Sequence, residues 1–120
     1  MTKFLPLIVH SFLLAATLAL SHAVLKWVSI QENENYFQLL LEQWKYILLA
    51  LSMYGLVFFY YIFVLRSSPI SSLYPIYTGL SVLFVMLTGY LVFGEVMTLS
   101  RTLGALLILA GIVVMGWNYP

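Results

Sequence analysis

The sequence contains no cysteine, and only 8% of its 120 residues are charged. Without cysteine there is neither a disulfide scaffold nor a thiolate metal site. With so few charges, a soluble domain of this size cannot be built, because a small fold exposes too much surface to be covered by a 63% hydrophobic composition. The net charge of +1 comes with no basic cluster, which excludes a nucleic-acid partner. No nucleophile with a base, no phosphate loop and no metal-ligand cluster can be read. The chain is therefore expected to be neither an enzyme nor a cofactor binder.

What is present is apolar sequence broken at intervals by charge. The run from Lys3 to Lys26 encloses 22 uncharged residues, Lys45 to Arg66 encloses 20, Arg66 to Glu95 encloses 28, and 19 residues follow Arg101. About 20 residues suffice for a helix to cross the hydrocarbon core. The spacing predicts an all-α integral membrane protein, a single four-helix membrane domain over residues 1–120. Its spans are expected at about 4–28, 44–65, 69–93 and 100–118. The first run resembles a signal peptide at its start, with Lys3 near the N-terminus and Ala15 to Ala19 as a cleavage region. The apolar stretch nevertheless continues to Val28, and more spans follow, so it is read as a span.

The expected loops are short. The first, Ser29 to Gln38, is the longest polar segment. The second is Arg66 to Ser68, with Pro69 opening the third span. The third runs from Gly94 to Ser100, with Ser100 as helix cap. Lys3 and Arg66 fall on one side of the membrane; Lys26, Lys45 and Arg101 fall on the other with all four acids, Glu32, Glu34, Glu42 and Glu95. A split of two bases against three gives almost no bias in orientation. Either other determinants orient the chain, or it inserts both ways and pairs antiparallel.

Several features inside the spans could carry function. His22 and Lys26 lie one turn apart on one face of the first span, and titratable groups in a span default to a functional reading. Against that, Lys26 can snorkel to the headgroups and His22 can be a hydrogen-bonded neutral ring. His10 reads as a packed or interfacial residue. Pro75 removes a backbone donor one turn before Gly79, so the third span should bend there. Tyr74 and Tyr77 can face one cavity beside that bend, or belong to an interfacial belt. Tyr54, Phe58 and Tyr61 form an aromatic stripe on the second span. In the fourth span Gly104 and Gly111 lie on one face with Ile108 between them, two notches around a bulky side chain. They suit a dimer seam or packing within one monomer. No Asp or Glu falls within a span, which leaves proton-coupled cation export without an obvious carrier.

Four spans with these third- and fourth-span motifs resemble the small multidrug resistance group of the drug/metabolite transporter (EamA) superfamily. The likeness is best from Arg66 to Gly116. The resemblance implies that Tyr74 and Tyr77 match aromatic residues of a binding chamber, Gly79 a glycine of the helix bend, and Gly104 to Gly111 a dimerisation motif. Phe93, Gly94 and Glu95 resemble the superfamily's loop before its last helix. The family's cation exporters carry a Glu eight residues before a Lys; if Lys26 is that Lys, the position is Leu18. The chain looks more like the branch of lipid-linked-sugar flippases, such as aminoarabinose-phosphoundecaprenol flippase subunits, which lack the Glu and have a longer first loop. Those often read Gln where this chain has His22.

The resemblance thus implies a multi-pass protein of the bacterial inner membrane, working as a homodimer or with a paralogous subunit. It would flip an undecaprenyl-phosphate-linked sugar or a related anionic lipid. His22, Lys26, Tyr74 and Tyr77 would bind substrate, Pro75 and Gly79 would bend the helix, and Gly104, Ile108 and Gly111 would form the interface. Two rivals remain: a proton-coupled exporter of organic cations using another proton site, such as His22, and a non-transporting membrane subunit of a larger complex.

Overall fold

A computed structural model describes residues 4–117. These residues form five helices: α1 (Phe4–Ser29), α2 (Tyr36–Glu42), α3 (Trp44–Leu65), α4 (Ile70–Leu91) and α5 (Leu99–Trp117). All but α2 are long and apolar enough to cross a membrane. At about 1.5 Å per residue even α5 reaches nearly 30 Å, close to the thickness of a hydrocarbon core. Lys3 and Asn118, the base counted at the start and the expected end of the last span, lie outside the described residues.

The element ends show which local signals decide. The polar first loop was expected to be irregular. Instead Asn35 starts a short helix, its side-chain oxygen accepting from the Gln38 N–H at 2.8 Å. Pro69 is extended and stands just before the first helical residue of α4. The cap of α5 is Thr98 rather than Ser100: the Thr98 hydroxyl accepts from the Arg101 N–H at 3.2 Å, and the helix begins one residue before Ser100. At the far end of α4 the helix stops at Leu91, two residues early, because Gly94 takes a φ of 65° and reverses the chain.

The spans do not form a closed square. α1 packs between α3 and α4, and α5 packs on the outer side of α4. The resulting slab measures 53 × 36 × 17 Å. Small buried residues on α1, Ser11, Ala15 and Ala19, let its neighbours approach closely, the kind of contact that holds helices together in lipid. The apolar core, with Leu7, Leu14, Val57, Val64, Leu73, Ile76 and Tyr77, gathers toward the end where α3 turns into α4. Outward-facing residues such as Leu51, Phe59, Leu107 and Val114 are left for lipid. The better-packed end is thus opposite the end carrying most of the charge.

Candidate functional site

The charged end is built by α1, α4 and the chain reversal after α4. His22 and Lys26 point into one cavity of about 210 Å³, walled from α1 by Ala19 and Ala23, and from α4 by Val85, Thr88 and Gly89. Phe93 and Glu95 complete it. Sequence reasoning placed Glu95 in a loop and gave it no role. The turn at Gly94 folds it back, and its own N–H donates to the Gly89 carbonyl at 2.9 Å. Its carboxylate then lies against the helix at Gly89, where an added Cβ would come within 2.8 Å of Oε1. Gly89 and Gly94 were the available signals, a bare helix surface and a left-handed turn five residues apart.

Glu95 also borders a second cavity of about 150 Å³ with Val85, Tyr90 and Arg101. The carboxylate therefore stands between Lys26 on one side and Arg101 on the other. It forms an ion pair with neither among the described residues. Arg101 instead donates from Nη1 to the Val96 carbonyl at 2.7 Å.

Both histidines of α1 meet tyrosines of α3. The Tyr54 hydroxyl lies 3.3 Å from His22 Nδ1, and the rings stand edge to face with centroids 5.7 Å apart. The His10 ring is hydrogen-bonded through Nδ1 to the Tyr60 hydroxyl, with Phe63 against its edge. Partnering of this kind is required of polar rings in a span, because lipid offers no hydrogen bonds. Nothing in the sequence spacing announces these pairs.

Tyr74 and Tyr77 occupy the other end. Together with Tyr61 they form an aromatic cluster, with centroids 5.2 Å apart for Tyr61 and Tyr77 and 5.5 Å for Tyr74 and Tyr77. Tyr77 is buried and Tyr74 half exposed. Along α4, Thr88 lies eleven residues after Tyr77, a rise of about 16 Å at about 1.5 Å per residue. Within this chain the four candidate substrate contacts thus form two groups, one toward each end of α4. The aromatic stripe on α3 is likewise divided: Tyr54 turns to His22, Tyr61 to Tyr77, and Phe58 stays exposed.

α4 is continuous through Pro75, and the Thr78 hydroxyl donates to the Tyr74 carbonyl at 2.6 Å. Gly79 faces α5: a Cβ there would lie 3.0 Å from Ile112 Cδ1 and 3.4 Å from Ile108 Cγ2. Ile108 therefore packs inward on α4. Gly104 and Gly111 have nothing within 4 Å of an added Cβ and leave their notches open. No group of three His, Asp or Glu side chains among the described residues is placed to hold a metal ion.

Comparison with known proteins gives a consistent picture. The EamA-like transporter family matches residues 3–117. A probable 4-amino-4-deoxy-L-arabinose-phosphoundecaprenol flippase subunit of Enterobacter sp. (strain 638) is 32% identical over 73 residues, covering 61% of this chain and 67% of that protein. A multidrug transporter of Pseudomonas aeruginosa is 33% identical over 69 residues, covering 58% of this chain and 63%, less than two thirds, of the relative. No solved structure matches. With four apolar spans and a family match over nearly its whole length, the chain belongs to the EamA-like transporter family and is a small multi-pass membrane transporter.

Proposed function

We propose that the chain is a flippase of the bacterial inner membrane for a lipid with a phosphate-bearing headgroup, such as an undecaprenyl-phosphate-linked sugar. The observation that carries this reading is the cavity shared by His22 and Lys26 at the charged end, where Lys26 has no ion-pair partner among the described residues. The Lys26 ammonium, in a cavity walled in part by Ala19, Ala23, Val85 and Phe93, is a point charge suited to phosphate. The lipid tail would lie along outward-facing apolar side chains, which need no cover in a bilayer. The Enterobacter flippase subunit adds support through the lipid-linked sugar in its name.

A slab of four helices encloses no route of its own. A second copy, or a paralogous subunit, would complete the path, and the open notches at Gly104 and Gly111 offer a seam for it. Lys26→Ala tests the central claim. Losing a hydrogen bond to a charged group costs about 1.5–3 kcal/mol, so binding of a polyprenyl-phosphate lipid should weaken roughly 10- to 100-fold. Unchanged binding in a folded protein would remove Lys26 from the site.

One observation favours a second reading. The cluster of Tyr61, Tyr74 and Tyr77 presents aromatic faces of the kind that hold quaternary ammonium groups, and a relative is named as a multidrug transporter. On that reading the chain exports organic cations in exchange for protons. Adding tetraphenylphosphonium or a quaternary ammonium compound to purified protein should then release protons; no binding and no release eliminates it.

A further inference from the structure

The short helix in the first loop has an apolar face that the protein leaves uncovered. α2 carries Tyr36, Phe37, Leu39, Leu40 and Leu41 against only Gln38 and Glu42. Phe37 and Leu41 stand one turn apart on one face, Gln38 and Glu42 one turn apart on another. No residue of α2 is buried. Phe37 and Leu41 are 70% and 60% exposed, as open as Leu51 and Phe59, which face lipid from α3. A helix this short does not sustain itself in water: isolated helices under about 12–15 residues are marginal, and α2 has seven residues with a single side-chain cap, at Asn35. Its apolar face needs a cover.

The neighbouring residues show what lies within reach. Trp27 of α1 and Tyr46 of α3 pack with ring centroids 4.7 Å apart, and the Lys45 ammonium lies 5.8 Å from the centre of the Trp44 ring. Trp and Tyr beside Lys at the ends of two spans mark the level of the lipid headgroups. α2 ends at Glu42, just before α3 begins at Trp44, so its last turn stands next to that level. The helix is interrupted at Gln43, with φ −102° and ψ 22°, which makes α2 a separate element rather than a continuation of α3 into water. Beyond the break, exposed Trp44 and Leu48 carry the apolar surface of Phe37 and Leu41 on into the lipid-facing side of α3.

We infer that α2 is an interfacial anchor whose partner is the bilayer itself. It lies in the membrane surface with Phe37 and Leu41 turned into the boundary between headgroups and acyl chains, and with Gln38 and Glu42 turned to water. α2 holds no basic residue, so apolar contact rather than attraction to anionic lipid keeps it there. The segment joins α1 to α3, and its anchoring fixes the ends of both spans, with Lys26 and Lys45, at headgroup level. The assignment is independent of what the chain transports.

The test uses the absence of cysteine, which lets a single introduced cysteine carry a nitroxide label without background. Phe37→Cys, Gln38→Cys, Leu41→Cys and Glu42→Cys are labelled one at a time in the full chain in lipid vesicles; none of these side chains is buried. Leu51→Cys gives the lipid reference and Glu34→Cys the water reference. Collision of each label with oxygen, which concentrates in lipid, is compared with collision with a water-soluble nickel chelate. Labels at 37 and 41 should favour oxygen severalfold over the label at 34 and approach the label at 51, while labels at 38 and 42 should favour nickel. Nickel preference at all four positions places α2 in water and overturns the inference. Oxygen preference at all four sinks the helix below the surface and overturns it as well. Labels at 37 and 41 that neither reagent reaches show that protein, such as a second copy, covers the face, and this also overturns it.

Discussion

The seam between α4 and α5 can be tested by adding one methyl group and removing another. α5 packs chiefly on α4, and Gly79 lies directly on that contact, facing Ile108 and Ile112. A Cβ there would stand 3.0 Å from Ile112 Cδ1 and 3.3 Å from its Cγ1, inside the 3.5–4.0 Å at which carbon pairs attract. Gly79→Ala should therefore cost about 1–3 kcal/mol in overpacking, less roughly 1 kcal/mol regained from alanine's better helix propensity. Ile112→Val deletes the atom nearest the new methyl and by itself should cost about 0.5–1.5 kcal/mol. In the double variant the clash and the cavity largely cancel. The pair should then be more stable than the sum of its parts by about 1 kcal/mol, within the range for residues in contact. Reversible unfolding in mixed micelles, followed by circular dichroism, gives the four free energies of the cycle. Gly111→Ala serves as the control, since its Cβ meets nothing within 4 Å and should carry no steric cost. Additivity of Gly79→Ala and Ile112→Val to within about 0.3 kcal/mol would refute the packing described here.

Three further outcomes are expected from the same unfolding assay. Tyr60→Phe removes the hydroxyl bonded to His10, and should cost about 0.6 kcal/mol and no more than about 1.7, the span measured for such bonds in membranes. Ser11 is fully buried with an unpartnered hydroxyl; Ser11→Ala should stabilise the chain by about 1 kcal/mol, and a loss of similar size would show that the hydroxyl has a partner. Gly94→Ala forces a Cβ into the left-handed region, which should cost roughly 1–2 kcal/mol; an unchanged midpoint would mean that the turn after α4 does not need glycine.

The spans were legible because lipid makes a one-dimensional rule sufficient: charges mark where a helix must leave the hydrocarbon. Which helix touches which was not legible, for the same reason. In water an apolar stripe announces the buried face, but here residues such as Leu14 and Leu13, adjacent in sequence and equally apolar, are respectively buried and exposed. Only small residues hint at contact, and a crowded glycine such as Gly79 looks no different in sequence from the open ones at Gly104 and Gly111. The site was half legible. His22 and Lys26 share a cavity, as one helical turn between them requires. Tyr74 and Tyr77 join them only through the family resemblance, which matches them to aromatic residues of a binding chamber; α1 and α4 each cross the whole bilayer, and a place in a span says nothing about depth. Glu95 was discounted by the same rule that found the spans. A charge between two apolar runs belongs outside the membrane unless the chain doubles back, and doubling back depends on backbone that only glycine supplies easily. The position of Gly94, directly before the acid, carries that information, and the bare surface at Gly89 says where the acid comes to rest. In a chain this poor in charge, a carboxylate preceded by a glycine at the end of a span is better read as returning to the helix than as leaving it.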